Sequence, residues 1–298
     1  MKQSSLKNLF LLLLTAMIWG AAFVAQSVGM DYVGPFTFNG VRFLIGGLFL
    51  IPCIRFLDHW KKKNGVAENA KGDTKQLLIG GVCAGCALCV AANLQQIGIQ
   101  YTTVGKAGFL TALYVIIVPI LGVLFLKQRL PRSIWLCVLL AVVGMALLCL
   151  TGSSMGLELG DGLELLCAVM FSIHILILDH FSSKVDPVRL SCVQFLTCGV
   201  LSSIAMLVVE TPTLSGILAA WMPILYAGVL SSGVAYTLQA VAQKDCDPTI
   251  ASLVLCLESV FSVIFGWIIL HQVLSLREWI GCGLMFAAIV LAQFPEKT

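Results

Sequence analysis

Residues Leu11–Phe49, LLLLTAMIWGAAFVAQSVGMDYVGPFTFNGVRFLIGGLF, and residues Leu163–Leu201, LELLCAVMFSIHILILDHFSSKVDPVRLSCVQFLTCGVL, lie over one another at a shift of 152. Ala16 falls on Ala168, Pro35 on Pro187, Val41 on Val193, Phe43 on Phe195 and Gly47 on Gly199. Further along, a shift of 144 lays Leu94-Gln95 on Leu238-Gln239, Ala107 on Ala251, Gly122 on Gly266, Gln128 on Gln272 and Trp135 on Trp279. The change of shift is housed in the longer first-half loop around Lys61–Lys75. An apolar chain made of two related halves has the build of a secondary transporter, in which a site forms between the repeats.

The composition agrees. Hydrophobic residues make up 59% of the 298 and charged residues 11%, with a mean hydropathy of +0.99. A soluble domain carries about 25% charged residues, so most of this surface meets lipid. The net charge of +3 is small, and no basic stripe interleaved with aromatics points to nucleic acid. Almost all of the 12 cysteines sit inside apolar runs, where a thiol packs as a small hydrophobe. Cys83, Cys86 and Cys89 share a helix face, but without a further ligand they read as helix packing rather than a metal site.

Apolar runs appear at roughly 8–28, 36–57, 77–99, 104–126, 133–151, 160–181, 189–209, 217–242, 249–270 and 276–294. Each approaches the ~20 residues that a helix needs to cross a bilayer. The first run follows Lys2 and Lys7 like a signal peptide, but it is longer than one and no small-residue cleavage site follows, so it reads as a retained span. The runs lack the alternation of a membrane β-barrel. The expected fold is therefore an all-α membrane protein of ten transmembrane helices.

Lys and Arg set the orientation. With the N-terminus in the cytoplasm, fifteen fall inside: Lys2, Lys7, Arg55, Lys61, Lys62, Lys63, Lys71, Lys75, Lys127, Arg129, Arg132, Lys184, Arg189, Lys244 and Lys297. Only Arg277 falls clearly outside, while Arg42 and Lys106 lie within or at the edge of spans. The expectation is a multi-pass protein of the cell membrane with both termini cytoplasmic. Five spans per half is an odd number, so the second half enters inverted, which gives a physical route to alternating access.

Tyr101–Pro131, YTTVGKAGFLTALYVIIVPILGVLFLKQRLP, resembles the first-half motif of the EamA family within the drug/metabolite transporter superfamily. Its partner Pro248–Ser275, PTIASLVLCLESVFSVIFGWIILHQVLS, resembles the second-half motif, and Trp19-Gly20 resembles an early WG pair. The resemblance implies two inverted five-helix repeats, residues 1–151 and 152–298, and export or exchange of a small metabolite. Ser259 stands where that motif usually has proline, and Gln128 and Gln272 stand where it ends in an acid, so no role of a helix-end glutamate carries over.

Nine residues are candidates to line a substrate site: Trp19, Arg42, Asn93, Gln96, Tyr114, His174, Tyr236, Gln239 and Glu258. Charge inside a bilayer is costly. Glu258 lies ten residues into its span, so it is either a cavity acid that takes a proton or cation or a protonated packing carboxyl. Arg42 either grips a substrate carboxylate or phosphate or fixes helix packing. Lys106, just inside the fourth span, either snorkels to the interface or draws anions to the outer mouth. His174 is either a hydrogen-bonded packing residue or a proton relay. Asn93, Gln96 and Gln100, and likewise Tyr236, Gln239 and Gln243, form polar stripes at i, i+3 and i+7 that face protein or water rather than lipid. Trp19, Tyr114 and Phe171 would supply an aromatic wall. The implied partners are a small-molecule substrate such as an amino acid or related solute, the lipid bilayer, and a coupling proton or cation, with no cofactor.

Two motifs carry other meanings. Gly152–Gly156 matches G-x-S-x-G but lacks the strand-to-helix setting of a hydrolase elbow. Gly81–Gly85 fits G-x-x-x-G, which signals close helix packing. The rival functions are a channel, a lipid flippase and a membrane-embedded enzyme. The last would need an acid, base and nucleophile or a metal set in one place, and no such cluster is visible.

Overall fold

The computed structural model describes residues 5–64, 73–102, 104–127, 130–149, 159–270 and 275–292. These residues form helices and connecting turns, with no strand among them. Helices α1 (Leu6–Gly29), α2 (Pro35–Lys63), α3 (Thr74–Gly98), α4 (Val104–Ala112), α5 (Tyr114–Leu126) and α6 (Arg132–Cys149) come from the first half. In the second, α7 (Leu159–Ser182) and α8 (Pro187–Val209) are followed by short α9 (Leu214–Ala219) and α10 (Trp221–Leu225). A π-helical stretch (Tyr226–Tyr236) leads into α11 (Thr237–Gln243), then α12 (Pro248–Leu255), α13 (Glu258–Leu270) and α14 (Leu276–Ala292). Gln128, the Gly152–Gly156 motif, His271-Gln272 and most of the Lys61–Lys75 loop lie outside the described residues.

Among the described residues, eight helices or helix pairs are long and apolar enough to cross a bilayer, and Arg132–Leu147 and Trp279–Ala292 are shorter apolar helices. Eight of the ten sequence-predicted spans thus meet that length, and the two that would close each half fall short of it as helices of 10–17 residues.

Local chemistry sets the starts. Asp186 caps α8 by accepting hydrogen bonds from Val188 N and Arg189 N, and Asp247 caps α12 through Thr249 N. Each aspartate is followed by proline at the first helical position, where the missing N–H costs nothing and φ is already helical. Two breaks matter more. The α4–α5 helix is interrupted at Leu113 and the α12–α13 helix at Cys256–Leu257, corresponding places at the shift of 144. Tight i to i+3 bonds bridge both: Ile116 N to Leu113 O at 2.9 Å and Ser259 N to Cys256 O at 3.2 Å.

The outer surface is apolar, unlike that of a soluble protein, and polar side chains are buried within an apolar core. Leu124, Phe125, Leu207 and Val208 are exposed, while Arg42, Glu164, His174, Gln194 and Gln243 are buried. Lipid is the solvent for the outer surface, and polar groups find partners only inside.

The halves pack through corresponding helices. At one end Arg189 of α8 pairs with Asp58 of α2 at 2.7 Å. At the other, the Glu210 carboxylate accepts from Phe36 N at 2.8 Å and Thr37 N at 2.9 Å. Helices α2 and α8 therefore run antiparallel over their length. A Cβ on Gly47 would meet Leu196 Cδ2 at 2.7 Å, and one on Gly199 would meet the Leu44 backbone N at 2.8 Å. This contact is reciprocal at the shift of 152, as a two-fold relation requires. Phe43 and Phe195 stack on the same relation, with ring centroids 6.2 Å apart. Gly81 and Gly85 seat α3 against Val193 and Thr197 of α8, which is the close packing that their spacing predicts.

Candidate functional site

A cavity lies between α1, α2, α3, the α4–α5 pair, α7, the π-helical stretch with α11, and the α12–α13 pair. Its walls include Trp19, Phe23, Gln26, Arg42, Gln95, Thr111, Tyr114, Phe171, His174, Ile175, Ser231, Tyr236, Gln239, Leu255 and Glu258. The cavity volume is about 30 Å³. One water needs roughly 10–15 Å³ by that measure, so the cavity as it stands has room for a few waters and a metabolite requires the helices to part.

Tyr236 is its aromatic hub. Its ring centroid lies 4.5 Å from Trp19, 6.3 Å from Phe43, 6.0 Å from His174 and 6.0 Å from Phe195. The π-helical backbone that carries Tyr236 also finds partners from α1: Trp19 Nε1 donates to Ser231 O at 3.3 Å and Thr15 Oγ1 to Ala235 O at 3.2 Å. Such wide turns occur often at functional sites, where they re-aim side chains.

Arg42 is 2% exposed. Its Nε donates to Asn39 Oδ1 at 2.8 Å, and its guanidinium carbon sits 4.6 Å from the Phe43 ring centroid and 5.6 Å from that of Phe38. Asn39 is held in turn by donating to Ala92 O and Asn93 Oδ1, both at 2.9 Å. Asn93 donates to Ser202 Oγ and Cys89 O, both at 2.8 Å. No carboxylate among the described residues forms an ion pair with Arg42.

Glu258 is 5% exposed and opens α13 at the helix break. Its Oε1 accepts from the Tyr114 hydroxyl at 3.0 Å. His174 Nε2 lies 2.9 Å from Gln194 Oε1, which assigns the proton to Nε2 and leaves Nδ1 as an acceptor. His174 Nδ1, Gln26 Oε1 and Gln239 Oε1 have no hydrogen-bond partner. All three are acceptors on cavity-lining residues, so the site offers one strong cationic donor and several places for a donor to bind.

Seven of the nine sequence-predicted residues line this cavity: Trp19, Arg42, Tyr114, His174, Tyr236, Gln239 and Glu258. Asn93 and Gln96 do not. Asn93 acts on Arg42 through Asn39, and Gln96 Nε2 donates to Gln26 O at 3.1 Å. The third span is rotated so that Gln95 faces the cavity instead. Sequence reasoning passed over Phe23, Gln26, Gln95, Thr111 and Ser231. The signal for some was helical spacing: Phe23 and Gln26 follow Trp19 at i+4 and i+7, and Thr111 precedes Tyr114 by three.

A second hollow of about 370 Å³ lies at the α1–α2 and α8–α9 turns, lined by Tyr32, Val33, Gly34, Thr37 and Val209–Thr213. It is larger, but its charged residue Glu210 is occupied in capping α2. The polar groups converge in the smaller cavity, which is the candidate site.

Comparison with known proteins gives the same picture. The sequence model of the EamA-like transporter family matches twice, over residues 6–150 and 158–294. A chain from Archaeoglobus fulgidus described as an uncharacterized transporter is 32% identical over 283 residues, 95% of this chain and 84% of that one. The uncharacterized inner membrane transporter YedA of Escherichia coli K12 is 22% identical over 298 residues, 94% of this chain and 90% of its own. A solved chain described only as "Crystal structure of protein" superposes with a TM-score of 0.77, covers 96% of both chains and shares 16% identity, a likeness of fold.

Proposed function

This chain belongs to the EamA-like transporter family and is a multi-pass membrane transporter, and from that premise we propose that it exports or exchanges a small organic metabolite, such as an amino acid or a related acid, by alternating access. The observation that supports this most is one cavity lined by an arginine and a carboxyl that are not paired with each other. Arg42 binds the anionic group of the substrate through a charge-assisted contact. Glu258, Gln239, Gln26 and His174 accept hydrogen bonds from its ammonium or hydroxyl groups. Trp19, Phe171 and Tyr236 enclose its carbon skeleton.

The halves cross the membrane as two inverted sets of five spans, residues 1–151 and 152–298, with both termini in the cytoplasm. Exchange of conformation between the halves turns the cavity from one side to the other. Glu258 takes up a proton or a cationic group in one access state and gives it up in the other, with Tyr114 as its hydrogen-bond partner.

Purified protein in liposomes loaded with a mixture of amino acids, hydroxy acids and amines, with release followed by mass spectrometry, tests this. Solutes with both an anionic group and a donor should leave faster when the same solute is present outside. Release of all small solutes without saturation would make the protein a channel. Movement of labelled phospholipid alone would make it a flippase. Either result defeats the proposal.

A further inference from the structure

Glu164 lies on α7, five residues from its start, and is 0% exposed. It is a carboxyl that the substrate cavity does not use. Its Oε2 accepts from Thr111 Oγ1 at 2.8 Å, and Thr111 Oγ1 accepts from Gln95 Nε2 at 3.3 Å. Its Oε1 is buried without a hydrogen-bond partner. Gly98 makes room for that oxygen, since a Cβ there would come within 2.6 Å of it.

Polar side chains continue from Glu164 in both directions along the helices. One turn toward the start of α7, Asp161 accepts from Thr102 Oγ1 at 2.7 Å, next to the turn after α3. On the other side of Glu164, Thr111 and Gln95 are cavity walls. Tyr114 stands one turn beyond Thr111 and donates to Glu258. At 1.5 Å per residue, Glu164 lies roughly 8 Å from the start of its helix and Glu258 roughly 15 Å from the start of its span. The titratable groups that face Glu164 are Asp161 and Cys167 on its own helix and Glu258 on α13. Helix α3 presents Gln95 and Gly98, and α4 presents Thr111. No Lys or Arg among the described residues forms an ion pair with it.

We infer that Glu164 is a second proton-binding carboxyl, set between the Asp161–Thr102 end of the bundle and the substrate cavity. A buried carboxylate with one oxygen unpartnered, and with no ion pair to it among the described residues, is unfavourable in hydrocarbon. A proton from water forms an O–H bond at Oε1 and takes the side chain from −1 to neutral, and release reverses both changes. Thr111 couples this event to the cavity, because its hydroxyl bonds Glu164 and forms part of the wall that the substrate meets. This deepens the proposal of proton coupling at Glu258 and rests on it only for the use to which the proton is put.

Infrared difference spectra of the full-length protein in liposomes, recorded between buffers of different pH, test the site with the proton itself as ligand. Wild type should lose two protonated-carboxyl C=O signals as pH rises. Glu164→Gln should lack one, Glu258→Gln the other, and the double variant both. Loss of only the Glu164 signal would leave this inference standing while removing Glu258 as a proton carrier. A Glu164→Gln spectrum that superposes on wild type overturns the inference. So does replacement of K⁺ by Na⁺ at fixed pH if it abolishes the Glu164 signal, since the site then takes a metal cation. Should Glu164→Gln fail to reconstitute, Thr111→Val keeps the carboxyl and removes its hydrogen bond. It should move the frequency and pH midpoint of one signal alone, and an unchanged spectrum overturns the inference.

Discussion

Tyr114 and Glu258 are joined by a hydrogen bond of 3.0 Å from phenol to carboxyl, and they occupy corresponding positions 144 residues apart. Each opens the second segment of a broken helix. Corresponding residues touch only where a two-fold relation brings them to its axis. The Phe43–Phe195 stack marks the same axis from α2 and α8. The cavity thus sits where the halves meet, and the shared position is a phenol in one half and a carboxyl in the other.

That asymmetry yields the first prediction. Glu258→Gln keeps the size and most of the hydrogen bonding but cannot ionise. In proteoliposomes it should retain exchange of substrate for substrate and lose net transport driven by a pH gradient. Net pH-driven transport at the wild-type rate would make Glu258 structural.

Arg42 supplies the cationic donor. A hydrogen bond to a charged group contributes about 1.5–3 kcal/mol, so Arg42→Gln should weaken apparent affinity for an anionic substrate roughly 10- to 100-fold. Asn93→Leu should lower affinity in the same direction but less, because Asn93 acts by holding Asn39. Equal affinity in wild type and Arg42→Gln, measured by counterflow, would assign Arg42 to packing.

Cavity placement separates the polar stripe residues. In a background without native cysteines, single cysteines at Trp19, His174, Tyr236 and Gln239 should react with small polar thiol reagents and be protected by substrate. Cysteines at Asn93 and Gln96 should react more slowly, since both lie off the cavity wall. Fast labelling at Gln96 with none at Gln239 would reverse the rotation assigned to these helices.

The glycine contacts between α2 and α8 are reciprocal but not equally forgiving. Gly199→Ala would drive a methyl into the Leu44 backbone, whereas Gly47→Ala first meets the end of the Leu196 side chain. Overpacking costs about 1–3 kcal/mol, and Gly199→Ala should lie at the upper end of that range. A thermal-unfolding comparison in detergent should show the larger fall in Tm for Gly199→Ala, and the opposite order would refute the assigned contact.

Topology has a direct check. Reporter fusions after Thr298 and within Gly65–Lys71 should both read cytoplasmic, because the expected topology puts fifteen Lys and Arg inside against one outside. A reading on the far side at either place would break the inverted arrangement of the halves.

The sequence by itself determined that the chain is helical, lives in lipid and is doubled, because hydropathy, run length and a constant shift are one-dimensional properties. It also marked most of the cavity, since an Arg, a His or a Glu inside an apolar run is costly and so stands out. What only the tertiary structure decided is which way each helix is turned. Gln95 rather than Gln96 faces the cavity, a difference of one residue and about 100° that a stripe of adjacent amides cannot resolve. Asn93 proved to be two hydrogen bonds from the cavity's cation rather than in the wall. Glu164 is not among the sequence candidates, and its place five residues into α7 gives no sign that it is buried. Burial came from Gly98 on a different helix, which lets α7 approach closely enough to close over the carboxyl, and such close approach is a property of packing that no single segment encodes.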